Sequence, residues 1–348
     1  MSIEMGSQGE AAANQDDMSR LRQLIMGFRA TQLVHVAARL GLADHLAQKP
    51  RTARELASLV DAEPGALYRL LRALASLGVF AEAAGGVFGM TPMAELLRHD
   101  KAGSLRSTAM LYGDEVLWDA YGRLSRAIGN GKSSFEQLYG QSFYDYLVHH
   151  PAVAALFHEA MTGFSQHEAD AVLAAYDFST IRSIVDVGGG QGALMAALLH
   201  AHTELRAVIF DRSPPADDNH LAFRRPDVLE RAKFIEGDFF TAMPEGGDLY
   251  LLKSIIHNWK DDEATAILRN CRNAMARHGR LLVVERVVPP GNSPAEAKLF
   301  DINMMVTVGG QERTEEEYAA LLRAAGLKMA RVIPTRSHLS LIEAVPGL

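Results

Sequence analysis

Asp186-Val187-Gly188-Gly189-Gly190-Gln191-Gly192 leads out of a short apolar run, Ile184–Val187, and stands directly before a helical stretch, Ala193–Ala201. Glycines at a strand-to-helix junction allow positive φ and let a ligand touch the backbone. Asp211 ends the next apolar run, 19 residues past Gly192. A carboxylate there can hold both hydroxyls of a ribose. Alone, such glycines can be only a tight turn; with a strand-terminal acid at this spacing they read as a nucleoside site. The loop is G-G-G-x-G, whereas a dinucleotide loop is G-x-G-x-x-G, and no G-x-x-x-x-G-K-[ST] occurs. The spacing suits S-adenosylmethionine, which brings no phosphate to a helix N-terminus and whose sulfonium cation suits an acidic loop.

Further along, Asp238 stands near the end of another apolar run, Phe234-Ile235, and a histidine, His257, stands alone. His257 follows the apolar run Leu249–Leu252 and precedes Trp259. By itself a histidine there is more often a satisfied structural residue than a base.

The elements that must position these residues alternate between strand and helix from Ile181 onward. Ala207–Phe210, Phe234-Ile235, Leu249–Leu252 and Leu281–Glu285 read as further strands, and Asp261–His278 as a helix closed by Gly279. Thr314 with Glu317 is a capping box opening a helix that stops at Gly326. Lys328–Ile333 and Leu339–Ala344 lie too close for a crossover helix and should pair antiparallel. The rest of the alternation predicts a parallel α/β sheet. Upstream, residues 1–17 read as a loose polar tail. Residues 18–100 read as a winged-helix-like module: Leu21, Leu24, Ile25 and Phe28 share a helix face, Thr52 and Glu55 form a capping box, and Pro64 opens a leucine-striped helix. Val79-Phe80 and Val87-Phe88 flank Gly85-Gly86 as a small hairpin. Residues 101–176 are helical and rich in aromatics, and 177–348 form the sheet.

Composition bounds the function. Hydrophobic residues are 48% and charged residues 22%, as in an ordinary globular chain, and the formal net charge is −7. A mildly acidic chain is a poor general binder of nucleic acid or anionic lipid. One cysteine, Cys271, leaves no internal disulfide and no cysteine-based metal cage. No run of about 18 apolar residues occurs, and the N-terminus lacks the layout of a secretion signal, so a cytoplasmic location is expected, with no membrane partner.

Five ordered motifs resemble those of the class I S-adenosylmethionine-dependent methyltransferases, and more narrowly the small-molecule O-methyltransferases of the caffeate, hydroxyindole and bacterial polyketide type. They are Val185–Gly192, Glu236-Gly237-Asp238-Phe239-Phe240, Leu252–Trp259, Glu285-Arg286 and Gly309–Thr314. The resemblance covers about residues 20–348. It implies a Rossmann-like sheet with an antiparallel last strand, preceded by a winged-helix dimerisation domain that makes a homodimer. It places Gly188 and Gly190 beneath the amino acid and ribose of S-adenosylmethionine, and Asp211 on the ribose hydroxyls. Asp238 would accept from the adenine amine, Phe239 would pack on its face and Lys253 would lie beside the cofactor. It makes His257 the general base and Glu285 and Glu312 its orienting acids, with no metal, and S-adenosylhomocysteine as the demethylated product. In that role the imidazole takes the acceptor's hydroxyl proton, and the resulting anion attacks the methyl group in line. The family usually has aspartate after this histidine; here it is Asn258.

The acceptor would be a small aromatic or heterocyclic molecule, an oxygen or a nitrogen nucleophile. Met161, Met304, Met305, Phe143 and Phe157 are candidate lining residues, and each could also be plain core filling. Two other readings compete: a ligand-responsive DNA-binding regulator, and a scaffold that does not methylate. Against the first, Arg51 to Arg98 carries five basic and five acidic residues, where a DNA reader should show a basic patch. The retained His257, Glu285 and Glu312 speak against the second.

Overall fold

The structure, a computed structural model, describes residues 16–212 and 226–347. The expected tail lies outside the described residues up to residue 15, and Asp16 and Asp17 already belong to a helix. The chain divides into two compact units, Met1–Glu115 and Val116–Leu348. The aromatic helical stretch expected over 101–176 is thus shared between them.

In the first unit, helices gather around a core of Leu42, Leu56, Leu67, Leu71, Leu74, Phe80 and Phe88. The capping box of Thr52 and Glu55 is formed, and the helix Pro64–Ser76 is capped by Glu63. A small sheet of β1 (Arg51–Thr52), β2 (Ala81–Ala83) and β3 (Val87–Gly89) has the order β1-β3-β2. Its first hairpin strand starts after Val79-Phe80 because both residues are buried and feed the helical core instead. The helix over residues 16–26 and the start of the next leave Met18, Leu21, Leu24, Ile25, Met26 and Phe28 exposed.

The second unit is built on a seven-stranded sheet: β4 (Ser183–Val187), β5 (Arg206–Asp211), β6 (Ala232–Glu236), β7 (Leu249–Lys253), β8 (Arg280–Glu285), β9 (Leu327–Pro334) and β10 (Ser340–Pro346). The order is β6-β5-β4-β7-β8-β10-β9. All neighbours are parallel except β10, which runs antiparallel to both β8 and β9. Only residues 335–339 join β9 to β10, too few for a crossover, so the hairpin reverses direction as expected.

Side chains alternate across the sheet. Leu249 and Leu251 enter one core with Ile184, Ile209 and Leu282; Tyr250 and Leu252 enter the other with Val185, Leu281 and Val283. A sheet buried on both faces offers its free chemistry only at strand ends. The strand order reverses between β4 and β7, which opens a crevice at their C-terminal ends, and the glycine loop, Asp211, His257 and Glu285 all lie at such ends. The helix Asp261–Ala274 stops four residues short of the expected His278: Met275 turns extended and the Ala276 N–H bonds Gly247, which feeds the chain back into β8.

Candidate active site

The glycine loop is packed on one side and open on the other. Gly188, Gly190 and Gly192 have φ of 71°, 54° and 72°, in the left-handed region that favours glycine. A Cβ on Gly188 would overlap Ile255, and one on Gly189 would overlap Asp186, whereas one on Gly190 would meet nothing within 4 Å. That open face is where a ligand would lie on bare backbone. Asp211 Oδ2 accepts from the Gly190 amide at 2.9 Å, so the acid at the end of β5 is tied to the loop. Beneath it, burial pushes the Asp186 carboxyl up to about 7, with Lys253 opposing and Asp211 adding to the effect.

Asp238 follows β6. Its Oδ1 accepts from the Phe240 amide at 2.9 Å and its Oδ2 from Arg212 at 2.7 Å, and these bonds hold the carboxyl below its ordinary range. Phe239 is half-buried and meets the Trp259 ring edge-on at 5.9 Å. Lys253 ends β7 with its Nζ 2.7 Å from Glu168 Oε2, and Glu168 also accepts from or pairs with His338 at 2.9 Å. Lys253 is therefore an ion-paired residue, not a solvated one. Burial alone would raise Glu168, but His338 and Lys253 hold it down at about 2.

His257 lies on a single helical turn, Ile256–Asn258, just after β7. Its side chain is 6% exposed. Nδ1 is 2.8 Å from Glu312 Oε1 and 3.0 Å from Glu285 Oε2, and the His257 amide bonds Glu285 Oε1 at 3.2 Å. Ionised carboxylates only accept, so Nδ1 must carry the proton. It can aim that proton at one of them; Glu312 has the hydrogen-bond geometry, and Glu285 meets the ring as a charge. Nε2 is then the free lone pair of the neutral ring. Burial alone would lower the imidazole, but Glu285 and then Glu312 raise it to about 9. An unperturbed imidazole titrates near neutrality, and two buried carboxylates on one nitrogen are the reason this one does not. Burial raises Glu312 in turn, against the pull of His257. Nδ1 and the two carboxylates lie within 4.8 Å of one another, a spacing that would also admit a cation.

Two details explain the local backbone. Ser254, between β7 and the turn, has φ 56°, and Asn258 Nδ2 donates to its carbonyl at 3.1 Å. An aspartate could not donate there, so Asn258 is a structural tie of this chain. Gly310 packs so tightly against the turn that a Cβ would overlap the His257 carbonyl oxygen and the Asn258 backbone.

Two residues of the site stand inside the quoted motifs, but sequence reasoning gave them no role. Arg286, next to Glu285, donates to Glu296 at 3.0 Å and lies 3.7 Å above the Phe300 ring, whose centroid is 6.0 Å from that of His257. The buried Arg313 bonds the backbone of the histidine turn. Both arginines belong to the motifs and directly follow the motif acids, which was the signal that could have found them. Of the lining candidates, Phe143 and Met304 are buried, whereas Phe157, Met161 and Met305 are half-buried. Phe143 packs edge-on against Phe135 and Phe157, both at 5.2 Å. Met304 and Met305 belong to the helix Glu296–Thr307, which Ser133 holds through the carbonyls of Val306 and Thr307, and Tyr121 through Asn303.

Comparison with known proteins gives a consistent picture. Residues 22–100 match the O-methyltransferase dimerisation domain and residues 121–328 the O-methyltransferase domain. The phenazine O-methyltransferase of Lysobacter antibioticus is 40% identical over 94% of this chain and 96% of its own length. The phenazine-1-carboxylate N-methyltransferase of Pseudomonas aeruginosa is 32% identical over 93% and 96%. The crystal structure of an O-methyltransferase from neocarzinostatin biosynthesis, in complex with S-adenosylmethionine and 2-hydroxy-5-methyl naphthoic acid, is 34% identical, with TM-score 0.78, over 91% of this chain and 96% of that one.

Proposed function

We propose, on the premise that this chain belongs to the family of S-adenosylmethionine-dependent O-methyltransferases of secondary metabolism, that it methylates a hydroxyl of a small aromatic or heterocyclic acceptor with His257 as general base. The observation that carries the reading is His257 Nδ1 held between the buried carboxylates of Glu312 and Glu285, which leaves Nε2 as the basic atom.

Gly188 and Gly190 would hold the amino-acid and ribose portion of the cofactor on the open face of the loop, with Asp211 on the ribose hydroxyls. Asp238 and Phe239 would border the adenine end, and Lys253 would lie beside the cofactor. The chemistry supplied by bound S-adenosylmethionine is a methyl group made electrophilic by the adjoining sulfonium. His257 Nε2 removes the hydroxyl proton of the acceptor. Glu312 and Glu285 stabilise the imidazolium so formed. A phenol has a pKa near 10, by analogy with tyrosine. A base raised to about 9 matches it far better than an ordinary imidazole, so the transfer is close to thermoneutral. The cost is that the neutral ring is the minority form at pH 7. Met161, Met305 and Phe157 are the lining candidates with accessible surface to pack on an acceptor ring. Burial of the base excludes water, and much of the remaining acceleration comes from alignment.

The relative that methylates a phenazine nitrogen supports a second reading, in which the acceptor atom is nitrogen. A nitrogen lone pair needs no deprotonation, so His257 would matter less. The exposed apolar face of residues 16–28 and the dimerisation domain support a homodimer formed through the first unit. A methyl-transfer screen over hydroxylated and N-heterocyclic aromatics tests the reading. Turnover of phenols that is lost in His257→Ala is the expected result; nitrogen acceptors turned over to the exclusion of phenols would overturn it.

A further inference from the structure

Arg313 is 1% exposed, the largest fully buried side chain of the protein among the described residues. A buried guanidinium is costly unless its donors are matched. Here they converge on the segment that carries His257. Nη1 donates to the Ile256 carbonyl at 3.2 Å, Nη2 to the Trp259 carbonyl at 2.8 Å, and Nε and Nη2 to Asp261 Oδ1 at 3.0 and 2.8 Å. The Gln311 amide takes the carbonyl in between, that of His257, at 2.8 Å, and Gln311 Nε2 also reaches Asp261 Oδ1 at 2.8 Å. Glu312 sits between these two residues and reaches the ring. Residues 311–313 thus hold the histidine turn by its backbone on the same strap that delivers the orienting carboxylate.

We propose that Arg313 is a positioning residue for proton abstraction: it fixes the turn Ile256–Trp259 against the strap Gly309–Arg313, so that the His257 ring and the Glu312 carboxylate keep a single register. It touches neither acceptor nor cofactor and acts through His257. The inference rests on His257 being the base. The planar fork is essential, because a lysine ammonium keeps the charge but cannot span two carbonyls and a carboxylate at these positions.

The test uses two acceptors of similar shape, a phenol un-ionised at the assay pH and a nitrophenol already ionised there. The second needs no proton removed. Three variants of the full-length protein are compared: Arg313→Lys, Asp261→Asn and His257→Ala. Asp261 is largely exposed, so its variant takes the negative charge from the partner of Arg313 while leaving an acceptor oxygen in place and the core intact. Arg313→Lys is expected to lower kcat for the phenol by about tenfold to a hundredfold, with little change for the nitrophenol, in KM for either acceptor, or in cofactor affinity. Asp261→Asn should show the same selectivity at smaller size. Arg313→Lys slowing both acceptors alike, or neither, overturns the proposal; if His257→Ala in the same assay remains selective for the phenol, the base reading survives that failure. If Arg313→Lys does not fold, Asp261→Asn carries the test alone, and the absence of selectivity in it overturns the proposal. If His257→Ala shows no selectivity, the base reading itself is wrong and this inference falls with it.

Discussion

Glu312 and His257 are 55 residues apart in the chain and 2.8 Å apart in the fold. The contact is made from opposite sides: His257 rides on the turn after β7, and Glu312 arrives on the strap that follows the helix Glu296–Thr307. Glu285, at the end of the neighbouring strand β8, closes the group. Three elements thus supply one buried histidine with two carboxylates, and its raised pKa follows from their convergence.

The first expectation concerns pH. His257 is raised to about 9 chiefly by the charges of Glu285 and Glu312, against burial. The neutral ring is the active form, so methyl transfer to an un-ionised phenol should rise with pH and level off above about 9. Glu285→Gln removes one of the raising charges. Its inflection should move to lower pH and its plateau should fall by less than that of His257→Ala, because a weaker base still abstracts. A pH–rate profile of both proteins checks this; an inflection that stays in place contradicts it.

The same pairing links stability to pH. The folded value of about 9 lies above the ordinary 6.5, so the pair's contribution is whole below 6.5 and fades as pH rises through 9. The difference in melting temperature between the parent protein and His257→Ala should shrink by roughly a few degrees over that window. A difference that grows with pH would contradict the assignment.

Gly310 is the tightest backbone approach in the site. A Cβ there overlaps the His257 carbonyl and the Asn258 backbone, neither of which is a flexible side-chain end. Gly310→Ala should cost about 3 kcal/mol or more and abolish transfer. Denaturant unfolding gives the first number; an unchanged midpoint would mean that the strap yields easily.

The architecture was legible in the sequence because alternation and punctuation agree there. The seven strands, the helix Ala193–Ala201 and the two capping boxes at Thr52 and Thr314 stand within a few residues of where apolar periodicity and turn residues put them. His257, Glu285 and Glu312 could be named only through the resemblance of the ordered motifs, since a place near a strand end does not by itself set a histidine or a glutamate apart. What periodicity does not encode is side-chain partnership over long separations. Nothing near Lys253 in the chain announces Glu168, on a helix of the same unit, and nothing near Arg313 announces three acceptors more than fifty residues upstream. The raised pKa of His257 is hidden on the same ground, because an imidazole's ordinary value ignores two carboxylates that arrive from elsewhere.

Asp211 holds the glycine loop through the Gly190 amide, and the proposed function puts it on the ribose hydroxyls. Asp211→Ala should weaken S-adenosylmethionine binding by about 1.5–3 kcal/mol, the usual worth of a hydrogen bond to a charged group. Titration calorimetry measures it. Unaltered affinity would place the ribose elsewhere.

Met18, Leu21, Leu24, Ile25, Met26 and Phe28 leave an apolar face uncovered in the single chain. Light scattering at micromolar concentration should give twice the monomer mass. Replacing Leu21, Leu24 and Ile25 by charged residues should shift the protein to monomer. A monomeric parent protein would refute assembly through this face.

The most direct test of the mechanism is the rate of methyl transfer by His257→Ala in a single turnover, with a phenol un-ionised at the assay pH, beside calorimetric binding of S-adenosylmethionine to the same variant. A positioned general base is worth about a hundredfold to ten-thousandfold, so the rate should fall by that factor while cofactor affinity stays within about twofold. An unchanged rate would show that alignment alone drives the reaction and that His257, despite its two carboxylates, takes no proton.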